Sequence, residues 1–131
     1  MATEKVTLSV DDALALGRRA LQRVGYSADE AGVIAPILVD AALCGYPAHG
    51  LPRIITIAEH PRTKEPRRPL RVVHETPCSA LVDGGNYVGF YTVNRAAEIA
   101  IDKAQASRFA LVGVHDSFLS GRSAYYLEKI A

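Results

Sequence analysis

Gly45-Tyr46-Pro47-Ala48-His49-Gly50-Leu51-Pro52-Arg53 separates two helical patterns and sets an imidazole and a guanidinium four residues apart at the break. Tyr46 stands before Pro47, which steers it away from helical backbone, so His49 falls in a connector. Pro52 suits the first turn of the next helix, expected over residues 51–59.

Upstream, residues 6–9 read as a short strand, after which Ser9 caps a helix whose apolar residues Val10, Ala13, Leu14, Leu21 and Val24 recur at helical spacing. Gly25 ends it. Ser27 and Glu30 form a capping box for a second helix carrying Ile34, Ile37, Leu38 and Ala41, and Pro36 predicts an irregular first turn or a later start. Downstream, residues 61–69 make a proline-rich basic connector, and beyond it the hydrophobic period changes. Residues 70–76 and 79–83 read as strands, with Asp83-Gly84-Gly85-Asn86 as the turn that follows. A helix is expected over 88–107, with Val93, Ala96, Ala97, Ala100, Ile101 and Ala104 on its inner face. The apolar run 109–114 predicts a central strand, and residues 121–131 begin another amphipathic helix.

Composition narrows the function. The chain of 131 residues, with 49% hydrophobic and 22% charged, has the balance of a soluble globular domain. A net charge of +1 gives no general attraction to nucleic acid or to anionic membrane. Cys44 and Cys78 stand far apart with no metal-ligand spacing, which suits a reducing compartment, and each is expected to be a small buried apolar residue. No stretch approaches membrane-spanning length, and the expected location is the cytoplasm.

The chemistry concentrates at His49 and Arg53. An imidazole changes charge near neutrality and so serves acid and base catalysis. Arg53, at the i+4 position, can fork onto a carboxylate if the backbone there is roughly helical. Spacing alone equally describes a surface cap and a solvated cation.

The surrounding residues add a more specific pattern. The stretch 41–53, the segment Arg71-Val72-Val73-His74-Glu75-Thr76-Pro77 followed by Ala80-Leu81-Val82-Asp83-Gly84, the helix 96–104 and the terminal Asp116-Ser117-Phe118-Leu119-Ser120-Gly121-Arg122-Ser123-Ala124-Tyr125-Tyr126 together resemble the malate/L-lactate dehydrogenase family. That family is distinct in fold from the Rossmann-type lactate and malate dehydrogenases. It includes diketogulonate, sulfolactate and ureidoglycolate dehydrogenases and piperideine-2-carboxylate reductases. The resemblance implies reduction of a small 2-oxo acid or cyclic imino acid with NADH or NADPH, or oxidation of a 2-hydroxy acid in reverse. It assigns His49 as the acid/base, Arg53 as the carboxylate clamp and Ser117 as a polar contact near the cofactor. In chemical terms, hydride arriving at a carbonyl carbon leaves an alkoxide, which an imidazolium quenches while an arginine fixes the neighbouring carboxylate.

This sequence departs from the family pattern in three respects. Ala48 replaces the serine usual before the histidine. Leu119 replaces a second histidine at the substrate and cofactor site, and a leucine donates no hydrogen bond. Members of the family are also much longer. The expectation is therefore an N-terminal piece whose last helix, with Tyr125, Leu127 and Ile130 on an apolar face, seeks a partner surface in a missing C-terminal portion or a second subunit as a homodimer. An inactive or regulatory fragment that associates with a full-length relative is the competing reading.

Other signals are weaker. Gly84, Gly85 and Gly89 precede a helix, but a dinucleotide fingerprint fails because Asn86 occupies its second glycine position, so a tight turn and close helix packing are expected. Arg62, Lys64, Arg67, Arg68 and Arg71 could contact phosphates, yet without interleaved aromatics they read as a solvated loop, and no nucleic-acid partner is expected. His60, His74 and His115 lack metal-ligand spacing and read as structural.

The expected fold is α+β and not Rossmann: a helical N-terminal region over 1–60, the connector 61–69, and over 70–131 the start of an α/β cofactor-binding region. In it a helical region feeds part of a mixed sheet with covering helices.

Overall fold

In the computed structural model, which describes residues 6–131, Ser9 starts the first helix as its chemistry requires. Its side chain accepts a hydrogen bond from the Asp12 N–H at 3.1 Å, and α1 runs over Val10–Val24 with Asp11 and Asp12 at its positive end and Arg23 at its negative end. Gly25 closes it at φ 108°, a left-handed conformation that glycine takes without a side-chain clash. The α2 helix, Ala28–Leu43, opens on a complete capping box: Ser27 accepts from the Glu30 N–H while Glu30 accepts from the Ser27 N–H.

Two expectations fail in this region. Pro36 does not delay the start of α2 but sits in its interior, where its missing N–H leaves the Gly32 carbonyl without a helical donor. The helix survives because Ile34, Ala35, Ile37, Leu38 and Val39 are buried around Pro36, so packing outweighs the propensity cost. Residues 6–9 form no strand, and residues 1–5 of the expected helical region lie outside the described residues. Leu21 of α1 packs fully buried with this set, and Gly17 allows the approach: a Cβ there would lie 2.9 Å from the Leu51 side chain and 3.3 Å from that of Ala35.

The chain divides into two units, one ending at Ile54 and the other spanning Ile55–Ala131. The division falls within α3, Arg53–Glu59. In the second unit β1, Arg71–Thr76, and β2, Ser79–Val88, form an antiparallel hairpin. A covering helix, α4 (Gly89–Ser107), carries the chain across to β3, Leu111–Phe118, which pairs parallel to β2. The last helix, α5, spans Ser123–Ile130. The result is α+β, with a helical region followed by a mixed three-stranded sheet in the order β1-β2-β3 and its covering helices.

The apolar run expected as a central strand is thus an edge of this sheet, and β2 is central. Nor does β2 turn at Asp83-Gly84-Gly85-Asn86. It continues to Val88, and its pairing with β3 shifts between Asp83 and Tyr87, where Gly85 and Asn86 adopt left-handed φ values of 59° and 66°. Glycine and asparagine satisfy an irregularity within a strand by the same conformations that they bring to a turn.

The basic connector fills this irregularity. The Arg68 N–H donates to the Gly85 carbonyl at 2.8 Å, and a Cβ on Gly85 would stand 2.1 Å from the Arg68 carbonyl oxygen. Arg68 also pairs with Asp116 at 2.6 Å and with Asp83 at 3.3 Å, while Arg71 reaches Asp83 at 3.4 Å. The connector is solvated, as expected, with Arg68 and Arg71 largely exposed, and it is also a strap held by ion pairs. Asp83 itself is buried, and the Gly85 N–H holds its carboxyl below the usual carboxylate range, against the opposing effect of burial and with help from Arg68 and His115.

The cysteines also depart from expectation. Cys44 is exposed at the end of α2 and Cys78 is half-buried in the β1–β2 turn, where neither serves as a core residue. No helix among the described residues is long and apolar enough to cross a membrane.

Candidate active site

Residues 45–53 form a stiff turn. Gly45 leaves α2 at φ 87°, Tyr46 before Pro47 stands outside the helical region at φ −114° and ψ 65°, and a single 3₁₀ turn follows over Pro47–His49. The His49 N–H donates to the Tyr46 carbonyl at 2.9 Å, the Gly50 N–H to Pro47 at 3.1 Å and the Arg53 N–H to Gly50 at 2.9 Å. Gly50 seats the turn against α2, since a Cβ there would come within 2.9 Å of the Ala42 Cβ and 3.3 Å of the Leu38 carbonyl.

His49 is exposed, with the Tyr46 ring edge-on at 6.2 Å between centroids. Arg53 begins α3. The two are not on one helix, because Gly50, at ψ −141°, interrupts the helical path between them. The i+4 argument therefore does not place them together. Arg53 offers other evidence: its Nε is buried and has no hydrogen-bond partner among the described residues. A buried guanidinium nitrogen left without an acceptor is costly, and an anionic ligand would satisfy it.

An apolar groove of about 490 Å³ lies against the same turn, lined by Val10, Leu16, Leu43, Pro47, Leu51 and Pro52 among others. Neither His49 nor Arg53 lines it.

Ser117 lies on β3 in the second unit. Its hydroxyl donates to the Tyr87 carbonyl at 3.0 Å and shares a hydrogen bond of 2.7 Å with the Thr92 hydroxyl, so it is turned inward. The backbone around it is strained, with Asp116 at φ 51° and Leu119 at φ 55°. Beyond them Tyr126 donates its hydroxyl to the Ser120 carbonyl at 2.6 Å, and burial raises the Tyr126 phenol well above its ordinary value. Leu119 lines a small pocket of about 230 Å³ with Val93, Val114 and Phe118.

Against a nicotinamide dinucleotide the residues of this unit fit in one respect and fail in another. Exposed Ser120 and Ser123, with the first turn of α5 uncapped by any side chain, leave hydroxyl and N–H donors at the carboxyl end of β3, where parallel strands commonly present ligands. Gly84, Gly85 and Gly89 form no open phosphate cradle, because the chain's own Asp116, Arg68 and Ser120 backbone fills the space beside them. The packing role expected of these glycines is the one they have.

Sequence reading missed Arg62, Arg68, Asp83 and Asn86 as a connected group. Their partners lie far along the chain, and the local signal was the pair of glycines flanked by Asp83 and Asn86, which reads equally as a turn. Of the histidines, His60 has a visible structural role: it stacks on Phe118 at 4.5 Å and accepts the Arg62 N–H at Nδ1. Among the described residues no group of His, Cys, Asp and Glu is arranged to hold a metal ion.

Comparison with known proteins agrees with this architecture. L-sulfolactate dehydrogenase of Methanothermobacter thermautotrophicus is 29% identical over 121 residues, which make up 91% of this chain and 36% of that protein. The solved structure of malate dehydrogenase from Pyrococcus horikoshii superposes with a TM-score of 0.87 at 26% identity, covering 95% of this chain and 36% of the other. Sulfolactate dehydrogenase from Methanocaldococcus jannaschii gives 0.84 at 27% identity, covering 95% and 37%. The chain thus spans little more than a third of the length of these relatives. The sequence pattern of the family described as malate/L-lactate dehydrogenase matches residues 8–131, and the chain belongs to that family.

Proposed function

We propose that this chain carries the proton-transfer and carboxylate-binding residues of an NAD(P)-dependent oxidoreductase that interconverts a small 2-hydroxy acid and the corresponding 2-oxo acid. The observation that carries the reading is the buried, unpartnered Nε of Arg53, following His49 within one glycine-seated turn. In the reductive direction Arg53 receives the substrate carboxylate through two parallel N–H donors, which fixes the carbonyl in orientation. NADH or NADPH, when bound, supplies the hydride. His49, exposed and able to reach a ligand, delivers its proton to the carbonyl oxygen as negative charge develops there, and takes it back from the hydroxyl in the oxidative direction. Ala48 adds no hydroxyl to this exchange, so orientation of the imidazole falls to the turn itself and to the neighbouring Tyr46 ring. In this reading the cofactor contact is the end of β3 at Ser117 and the turn after it, through the exposed hydroxyls of Ser120 and Ser123, since that of Ser117 is committed to Tyr87 and Thr92.

The test is Arg53→Lys in the enzyme as the cell makes it. Lysine keeps the charge and loses the planar fork, so KM for the 2-oxo acid should rise and kcat should fall with it. Identical kinetics for both residues would remove Arg53 from the site.

A second reading has its own observation. The outer edge of β3 is unpaired among the described residues, and a groove of about 460 Å³ beside it is lined by Val93, Ala97, Ala100, Leu111, Val112 and Ile130. Parallel strands are ordinarily covered on both sides. This surface suits association with further polypeptide of the same family, whether in the same chain or in another copy.

A further inference from the structure

Arg62 makes more connections than a residue of a basic connector needs. Its Nε donates to Asn86 Oδ1 at 2.7 Å, one terminal nitrogen donates to the Ser117 carbonyl at 3.2 Å, and the other pairs with the Asp116 carboxylate. Its backbone carbonyl accepts from Asn86 Nδ2 at 3.0 Å, and its N–H is taken by His60. The guanidinium stands 5.3 Å from the centre of the Phe118 ring, on which His60 also stacks. Residues 60–62 therefore grip residues 116–118 through a carboxylate, a carbonyl and an aromatic ring in succession.

What they grip is strained. Asp116 and Leu119 both hold left-handed backbone without being glycine, at a cost on the order of 1–3 kcal/mol each. A loop with no further task would relieve that cost with glycine or asparagine. Here the strain is kept, and the loop is fixed from several sides at once: by Arg62, by the Thr92 hydroxyl on Ser117, by Tyr126 on Ser120 and by Gly89, whose missing Cβ would come within 2.6 Å of the Ser120 Cα.

We propose that Arg62 is the positioning residue of residues 116–121, the end of β3 and the turn after it, holding this segment in the one conformation that receives the cofactor. This rests on the reading of the end of β3 and the turn after it as the cofactor contact. Arg62 does not touch the reacting atoms. Its work is to replace an ordering step on binding with a loop already in place, which lowers the cost of binding.

The experiment compares Arg62→Lys and Arg62→Met with the wild-type enzyme as the cell makes it, by amide hydrogen exchange and by fluorescence titration with NADH and with NADPH. Arg62→Met should speed exchange at residues 117–121 at least about tenfold and weaken the preferred cofactor about tenfold, with exchange in α1 and α2 unchanged. Arg62→Lys, which retains the charge opposite Asp116, should recover part of both losses. KM for the 2-oxo acid should move far less than KM for the cofactor. Unchanged exchange in the loop would overturn the proposal, and so would faster exchange with unaltered cofactor affinity, which would make Arg62 a residue of the fold alone. A wild-type enzyme that binds neither cofactor would instead defeat the parent reading, and the failure would be seen before any variant is made.

Discussion

At the residue scale the proposed chemistry depends on His49. If its imidazole protonates the carbonyl oxygen, His49→Ala should reduce turnover by about 10²-fold or more while far-ultraviolet circular dichroism stays the same, since the side chain is exposed and holds no part of the core. Retained turnover with an unchanged pH profile would assign the proton to another group. Gly85 offers a test of structure at the same scale. Its φ of 59° and the Arg68 oxygen 2.1 Å from where a Cβ would stand leave no room for a side chain, so Gly85→Ala should destabilise the protein by roughly 2–4 kcal/mol in urea unfolding. The two residues also differ in how far the sequence reveals them. Tyr46 before Pro47 places His49 in a connector by local sterics alone, whereas the unmet nitrogen of Arg53 depends on packing that no spacing encodes.

At the element scale, the same contrast separates the helices from the sheet. The starts of α1 and α2 were legible because Ser9, Ser27 and Glu30 act on N–H groups three residues away. The course of β2 was not, because glycine and asparagine mark a turn and a bulge alike, and the deciding partners come from the connector and from β3. Arg62 and Asp116 are 54 positions apart, which puts their ion pair beyond any local pattern. The strap over the bulge has a measurable signature in acid. Asp83 titrates below its unfolded value near 3.8, so its ionised form contributes stability that is complete above that value and is lost as the pH falls through the lower folded value. Unfolding monitored between pH 5 and pH 2, a range of about three units around that transition, should show a loss of stability that is smaller in Asp83→Asn. A variant with the same acid dependence as the wild type would show that Asp83 is not the group responsible.

At the scale of the whole molecule, the 131 residues include the proposed proton donor and carboxylate clamp, His49 and Arg53, while among the described residues the donors proposed for a dinucleotide are those after β3. Calorimetric titration of these 131 residues by themselves, without the further polypeptide proposed to cover the β3 edge, should therefore give no measurable binding of NADH or NADPH, and light scattering should show association that Leu111→Lys, at that edge, weakens. Micromolar binding by a monomer would show that these residues suffice for the cofactor. The bulge in β2 also constrains how the molecule can vary. Between Asp83 and Tyr87 it places Gly84, Gly85 and Asn86, where β3 has Asp116 alone. The excess is two residues, an even number, so the alternation of side chains above and below the sheet keeps its parity across the irregularity. Loss of two of these residues would remove the seat of the strap yet leave Val88 facing the core, whereas loss of one would turn Val88 outward and carry α4 with it, so length changes at this point of the gene are tolerable only in pairs.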